Sequence, residues 1–238
     1  MSNVIITGGA SGIGLAIVKR LIKDGHSLDV LDLANSDIWK KASGKYAEKT
    51  GYYCVDITDF RVATETLRKT ANKRKKLGAL INCAGIMKFE NGHEAVPESV
   101  RRQIAVNLEA PIHLCSEALK IMINQEEGGI ILNISSVAGI KATPKLSVYA
   151  STKAGLLHYT KCLAAEYADK KIKANVICPG AIQTNLANRF IFANIQKNIP
   201  MGRLQTADEI ASLTSWLLSE DAKNVTGAVF SIDGGMSL

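Results

Sequence analysis

No stretch of the 238-residue chain strings together 18 or more apolar residues, so the sequence offers no candidate for a membrane-spanning helix. A basic amino-terminal segment followed by a long apolar run and a cleavage site is also missing. These two gaps set the expectation of a cytoplasmic protein without a membrane partner. The five cysteines, Cys54, Cys83, Cys115, Cys162 and Cys178, form no Cys-x-x-Cys pair and read as small buried hydrophobes, not as disulfides or metal ligands. The histidines at 26, 93, 113 and 158 have no zinc-like spacing, so no metal is expected. Linkers, repeats and low-complexity tracts are absent as well, and residues 1–238 read as one domain.

The charge is lopsided: 29 basic against 22 acidic residues leave +7. The densest basic run, Lys69–Lys76, has no interleaved aromatics to stack bases and reads as the solvated end of an amphipathic helix. No nucleic-acid partner is expected, although a basic field would draw in an anionic cofactor or substrate.

What the chain does have is 47% hydrophobic residues, enough for a large core, in alternating strand-like and helical runs. Strands are expected at Val4–Thr7, Ser27–Asp32, Tyr52–Val55, Ala79–Asn82, Ile130–Ser135, Ile172–Cys178 and Ala228–Ile232. Ile130–Ser135 has unbroken apolar character and reads as buried on both faces. Helices are expected over Asp59–Lys75, from Pro97 through Ala105, from about Leu108 to Gln125, over Val148–Ala168, and over Thr206–Leu218 with Glu209 completing a capping box. This alternation predicts an α/β fold, a doubly wound parallel sheet of about seven strands, with ligands at the carboxyl ends of the strands. No second domain is left for substrate, so residues 184–201 are the longest candidate substrate loop.

The first strand runs into Thr7-Gly8-Gly9-Ala10-Ser11-Gly12-Ile13-Gly14 and then a helical run. Strand, glycine turn and helix form a layout that holds a dinucleotide pyrophosphate. Gly8 allows the turn, Gly12 lets the backbone approach phosphates, and Gly14 permits close helix packing. The helix start adds free N–H groups and roughly half a positive charge. Asp32 ends the second strand, where a carboxylate accepts hydrogen bonds from the adenosine ribose hydroxyls and repels a 2′-phosphate. No Arg or Lys lies within Thr7–Gly14 to offset that repulsion, so NAD is favoured over NADP. Asp56 is placed either to contact adenine or to cap the next helix. Asn82-Cys83-Ala84-Gly85 ends the fourth strand with small residues that allow a ligand to pass close.

Tyr149 and Lys153 are four residues apart on a predicted helix and share one face. A phenol with pKa about 10 is mostly protonated at neutral pH, and a nearby ammonium would lower that value. Ser136 lies 13 residues before Tyr149, at the end of the buried strand, where its hydroxyl could hold a substrate oxygen beside the phenol.

Together these residues resemble the short-chain dehydrogenase/reductase family, in its single-domain form of roughly 250 residues. The resemblance rests on Thr7-Gly8-x-x-x-Gly12-x-Gly14, Asn82-x-Ala84-Gly85, Asn107, Ser136, Tyr149-x-x-x-Lys153 and Pro179-Gly180, and it covers the whole chain. It implies that Tyr149 is the acid/base, that Lys153 lowers its pKa and binds the nicotinamide ribose, and that Ser136, not Ser135, positions the substrate oxygen. It implies that Asn107 kinks a helix and holds a relay water. Cofactor contacts are implied for Gly8, Ser11, Gly12, Ile13, Gly14, Asp32, Asn82, Ala84 and Gly85, for Asp56 and Ile57 at the adenine, and for Pro179, Gly180, Ile182 and Thr184 at the nicotinamide. Cys83 departs from the family, in which many members carry a second Asn, and is expected to affect packing only.

The expected activity is hydride transfer between NAD(H) and a secondary alcohol or ketone, by a homotetramer. One alternative is a 3-oxoacyl thioester reductase acting on a carrier protein, disfavoured by Asp32 and by the acidic Gln125-Glu126-Glu127 turn, with Lys170, Lys171 and Lys173 partly offsetting the latter. The other is a dinucleotide-sensing protein without turnover. Met87, Lys88, Ile140, Lys141, Leu186, Phe190 and Phe192 are expected near the substrate.

Overall fold

The structure is a computed structural model, and residues 2–182 and 196–238 are described. Seven strands, β1 (Asn3–Thr7), β2 (Ser27–Asp32), β3 (Thr50–Cys54), β4 (Ala79–Asn82), β5 (Gly129–Ile134), β6 (Ile172–Pro179) and β7 (Val229–Ile232), form one sheet in the order β3-β2-β1-β4-β5-β6-β7. Every pairing is parallel. The strand order reverses between β1 and β4, and at such a switch point the adjoining loops diverge and leave a crevice.

Alternating side chains along the strands build one apolar layer on each face. Ile5, Leu31, Leu80 and Ile131 pack beneath the helices α3 (Phe60–Arg74), α5 (Ala110–Met122) and α6 (Ser147–Tyr167). Val4, Ile6, Val30, Ile81 and Leu132 pack beneath α1 (Gly12–Lys23), α2 (Ser36–Ser43) and a helix here called α7 (Ala207–Leu217). Only α2, with Asn35 capping it through bonds to the Asp37 and Ile38 N–H groups, was not anticipated in the sequence. Its one large buried side chain, Trp39, stacks on Tyr52, which is too little apolar periodicity to announce a helix.

The two helices expected around residues 97–125 are continuous. α4 (Pro97–Ile104) passes through a π turn over Ala105–Glu109 into α5. The extra residue in that turn places Asn107 on the inner side, fully buried. At the start of α3, Asp59 accepts the Val62 N–H and takes the capping role considered for Asp56. At the other end of α3, Arg74 reaches the buried Asp29 carboxylate at 3.0 Å, so the basic run is not merely solvated. The cysteines also depart from expectation: Cys115 and Cys178 are buried, but Cys54 and Cys162 are exposed.

The Gln125–Glu127 turn and Lys170, Lys171 and Lys173 lie at the amino ends of β5 and β6, the rim opposite the carboxyl ends. They therefore carry no argument about docking at the carboxyl rim. The turn serves the fold: Gln125 accepts the Leu77 N–H and donates to the Leu77 and Gly128 carbonyls, and Glu127 pairs with Lys76.

Candidate active site

A cleft of about 380 Å³ opens at the switch point between β1 and β4. Its lining includes Gly8, Ser11, Gly12, Ile13, Gly14, Asp32, Asp56, Ile57, Ala84 and Gly85, ten of the expected cofactor contacts. Each glycine in the turn has its own reason. Gly8 has φ +71°, and a Cβ there would meet Ala84 Cα at 2.7 Å. A Cβ on Gly14 would meet the Gly8 carbonyl oxygen at 2.0 Å, so it is the turn itself that packs on the helix. Gly12 has φ +51°, and nothing lies within 4 Å of its Cβ position: it borders open space that a ligand could fill. Ser11 makes no capping bond and the first turn of α1 holds no acidic residue, so its N–H groups remain available to an anion. These observations fit a dinucleotide.

The cleft walls are tied together by short polar side chains. Thr7 Oγ1 accepts the Cys83 and Ala84 N–H groups at 3.1 and 3.2 Å, joining the ends of β1 and β4. The Asp32 carboxylate accepts the Ala10 and Ala34 N–H groups, both at 2.9 Å, which fixes it beside the glycine turn. Asp56 accepts from Thr58 and Arg102. Burial opposes its charge, but the Thr58 bonds and the Arg102 guanidinium outweigh that and hold its pKa below the ordinary value. Among the described residues, Arg102 is the only cation lining the cleft. Thr7 belongs to the glycine-turn motif, but no sequence signal pointed to Arg102, which acts through partners more than 40 residues away.

The Asn82 side chain is buried. Its amide does not line the cleft; it donates to Asn133 Oδ1 at 2.8 Å and to Cys115 Sγ, while Asn133 donates to Thr160. A buried amide with these partners links β4, β5 and α6 and leaves only its backbone near a ligand.

Gly85 connects the cleft to the second group of residues. Its Cβ position lies 3.3 Å from Asn107 Oδ1 and 3.4 Å from Lys153 Nζ. Asn107 accepts the Ile86 N–H and donates to the Ile86 carbonyl and to Thr152 Oγ1. Both amide hydrogens are used, and the side chain clamps the chain after β4 to α6. Ser135 donates to the Lys153 carbonyl and is buried, which leaves Ser136 as the hydroxyl beside Tyr149.

Lys153 is 4% exposed, donates to the Ile134 carbonyl at 2.9 Å, and lies 5.8 Å from the centre of the Tyr149 ring. Burial pushes its pKa down to about 8. Burial also pushes the Tyr149 phenol up, and the hydrogen bond with Ser136 only partly opposes this. The expectation that Lys153 holds the phenol below its ordinary value is therefore not met by this chain alone. Desolvation disfavours the charged forms of both groups and is the largest cause of each shift.

Pro179 and Gly180 close β6, where Gln205 Oε1 accepts the Gly180 N–H at 3.1 Å and Ile182 bridges to Gln205. Thr184, Leu186, Phe190 and Phe192 fall outside the described residues. Lys88 pairs with Glu90, and Lys141 donates to the Met236 and Leu238 main-chain oxygens. Met87 and Ile140 are exposed.

Comparison with known proteins agrees with this geometry. A family model described as enoyl-(acyl carrier protein) reductase matches residues 8–237. The chain belongs to the short-chain dehydrogenase/reductase family. This oxidoreductase is 31% identical to a 3-oxoacyl-[acyl-carrier-protein] reductase of Chlamydia muridarum, over 98% of this chain and 96% of that one. It is 30% identical to 2-(S)-hydroxypropyl-CoM dehydrogenase 3 of Xanthobacter autotrophicus, with the same coverage. Among solved structures, ElxO with NADP bound superposes with a TM-score of 0.93 at 31% identity, covering 99% of each chain. A short-chain dehydrogenase of Leptospira borgpetersenii with bound NAD+ gives 0.91 at 29% identity, covering 100% of this chain and 93% of that one.

Proposed function

We propose that this protein transfers hydride between NAD(H) and a secondary alcohol or ketone, with Tyr149 as general acid/base. One observation carries the reading: the buried Lys153 ammonium lies 3.4 Å from the Cβ position of Gly85, a residue lining the dinucleotide-shaped cleft, and 5.8 Å from the ring of Tyr149, whose phenol is hydrogen-bonded with Ser136. Nicotinamide, when bound, supplies or accepts the hydride. The chain supplies the rest. The Gly8–Gly14 turn and the α1 start hold a pyrophosphate, and Asp32 takes ribose hydroxyls. Asp56 and Ile57 flank the adenine, with Arg102 competing for Asp56. Ser136 donates a hydrogen bond to the substrate oxygen.

In reduction Tyr149 gives that oxygen a proton; in oxidation it takes one. Burial keeps the phenol protonated at neutral pH, which suits the acid role. Lys153 holds a positive charge behind the phenol, and Asn107, through Ile86 and Thr152, positions the loop and helix that frame it.

The preference for NAD rests on Asp32 at the glycine turn and on Arg102, the one cation of the cleft among the described residues, being engaged by Asp56. The names of the relatives favour a second reading, a 3-oxoacyl thioester reductase. Turnover of an acetoacetyl thioester with NADPH but not NADH would select it. A homotetramer is supported by the β7 edge and the adjoining Trp216–Phe230 pair, and analytical ultracentrifugation tests it.

The decisive experiment is Tyr149→Phe. Its kcat should fall by about 10² to 10⁴ while dinucleotide affinity is kept. Normal turnover would overturn the mechanism. Normal dinucleotide binding by a wild type inactive on every alcohol and ketone tried would favour a sensor.

A further inference from the structure

A second cavity, of about 790 Å³, is not at the carboxyl rim. It lies at the opposite rim, where the amino ends of β4, β5 and β6 meet the segment before β7. Its floor is made of glycines whose side chains are excluded by packing. A Cβ on Gly128, at φ +64°, would meet the Lys171 carbonyl oxygen at 2.2 Å, and one on Gly129 would meet Met122 Sδ at 2.5 Å. The floor thus stays concave. Its backbone donors are used internally, Gly78 N–H on Asn3, Gly129 N–H on Lys171 and Ile130 N–H on Gly78, so it offers a ligand shape and no hydrogen bonds.

The walls offer charge. Four lysines, Lys76, Lys171, Lys173 and Lys223, line the cavity against two glutamates, Glu127 and Glu220. Lys76 and Glu127 pair with each other. Lys171 donates to the Glu126 carbonyl and Lys173 to the Ala222 carbonyl, neither of which neutralises an ammonium. The Lys223 ammonium and the Asn224 amide make no hydrogen bond or ion pair among the described residues. Three ammonium groups therefore face one glutamate, Glu220, across a single concavity. Burial pushes the Lys173 pKa down, with Glu220 opposing, which marks a charge the fold holds at a desolvation cost. Like charges gathered in a concave, low-dielectric wall concentrate the field and favour a counter-anion.

We propose that this amino-rim cavity binds a compact anion carrying two or more negative charges, of the phosphate- or carboxylate-bearing kind, through Lys171, Lys173 and Lys223. The site is separate from the dinucleotide cleft, which lies at the other end of the same strands. A monovalent anion would leave the surplus unmet. A long polyanion such as nucleic acid would find no flanking basic track here, because Glu126 and Glu127 border the cavity on one side.

The test is calorimetric titration of tripolyphosphate, and separately of citrate, into the protein at near-physiological salt. Saturating NADH occupies the pyrophosphate subsite of the dinucleotide cleft. One saturable site per chain is expected. Affinity should weaken at least about tenfold in the variant Lys171→Gln/Lys173→Gln/Lys223→Gln, and by a smaller factor in Lys223→Gln, whose side chain holds nothing in the fold. A control with the same loss of charge, Lys23→Gln/Lys41→Gln/Lys69→Gln, should bind as wild type does. Tighter binding of one ligand identifies phosphate or carboxylate as the natural chemistry. No saturable binding of either ligand by wild type, or equal losses in the triple variant and the control, would overturn the proposal.

Discussion

At the carboxyl rim Lys153 is 4% exposed, its ammonium held by the Ile134 carbonyl and set behind a phenol; at the amino rim Lys171 and Lys223 stand exposed around a glycine floor. Both rims combine glycine-shaped concavity with lysine. The difference is solvent. Burial shifts the Lys153 pKa down to about 8. Exposed ammonium groups keep their water. The glycines differ in the same sense. At the carboxyl rim Gly12 leaves open space above a helix start with free N–H groups, whereas at the amino rim the backbone donors of Gly78, Gly129 and Ile130 are already bonded.

The sharpest way to break this contrast is to remove the lysines. Lys153→Met should lower kcat by about 10² or more, while the triple glutamine variant at the amino rim should leave kcat unchanged within about twofold. Steady-state kinetics decides it, and a comparable loss in both would erase the distinction. Next come the glycines. Gly12→Ala should fold yet weaken dinucleotide binding by about tenfold or more, since its methyl enters the cleft. Gly128→Ala should do the reverse, losing about 1–2 kcal/mol or more of stability from the positive φ and the clash, with dinucleotide affinity intact. Fluorescence titration and thermal melts on the two variants separate these outcomes.

A third test uses pH. Because the folded pKa of Lys153 is depressed below 10.5, folding disfavours its charged form. The penalty is fully present below about pH 8 and fades as pH rises from there toward 10.5. Wild type should therefore gain stability relative to Lys153→Met between pH 7 and 10, by about 3 kcal/mol over the full span. Denaturant melts at several pH values read this directly, and a constant difference would mean that the ammonium is not desolvated. A smaller effect is expected of Asp32→Ala, which should shift the NADH-to-NADPH preference toward NADPH by about tenfold, as judged by kcat/KM with each cofactor. The smallest is Lys76→Gln: its exposed pair with Glu127 is of the kind worth about 0–1 kcal/mol, and Tm should barely move.

Much of the molecule was legible beforehand, for identifiable reasons. Strand Ala79–Asn82 was placed at its observed bounds because four buried residues lie between charged and small flanking segments. The glycine turn was readable because its conformational demands are local. The short α2 escaped notice because its apolar face is a single tryptophan. The continuity of α4 and α5 was missed because a π turn carries no composition signal. Sequence cannot tell which way the strand-end amide of Asn82 turns, and Asn133 and Cys115 decide it.

By itself the sequence determined the family, the order of strands and helices, and which residue types come to the carboxyl rim, because periodicity and glycine turns are encoded over a few neighbours. Only the tertiary structure decided that Lys153 is buried, that the phenol of Tyr149 is pushed up instead of down, and that lysines from distant segments gather at the opposite rim. Those outcomes depend on desolvation, which is a property of the packed surroundings and not of any one residue.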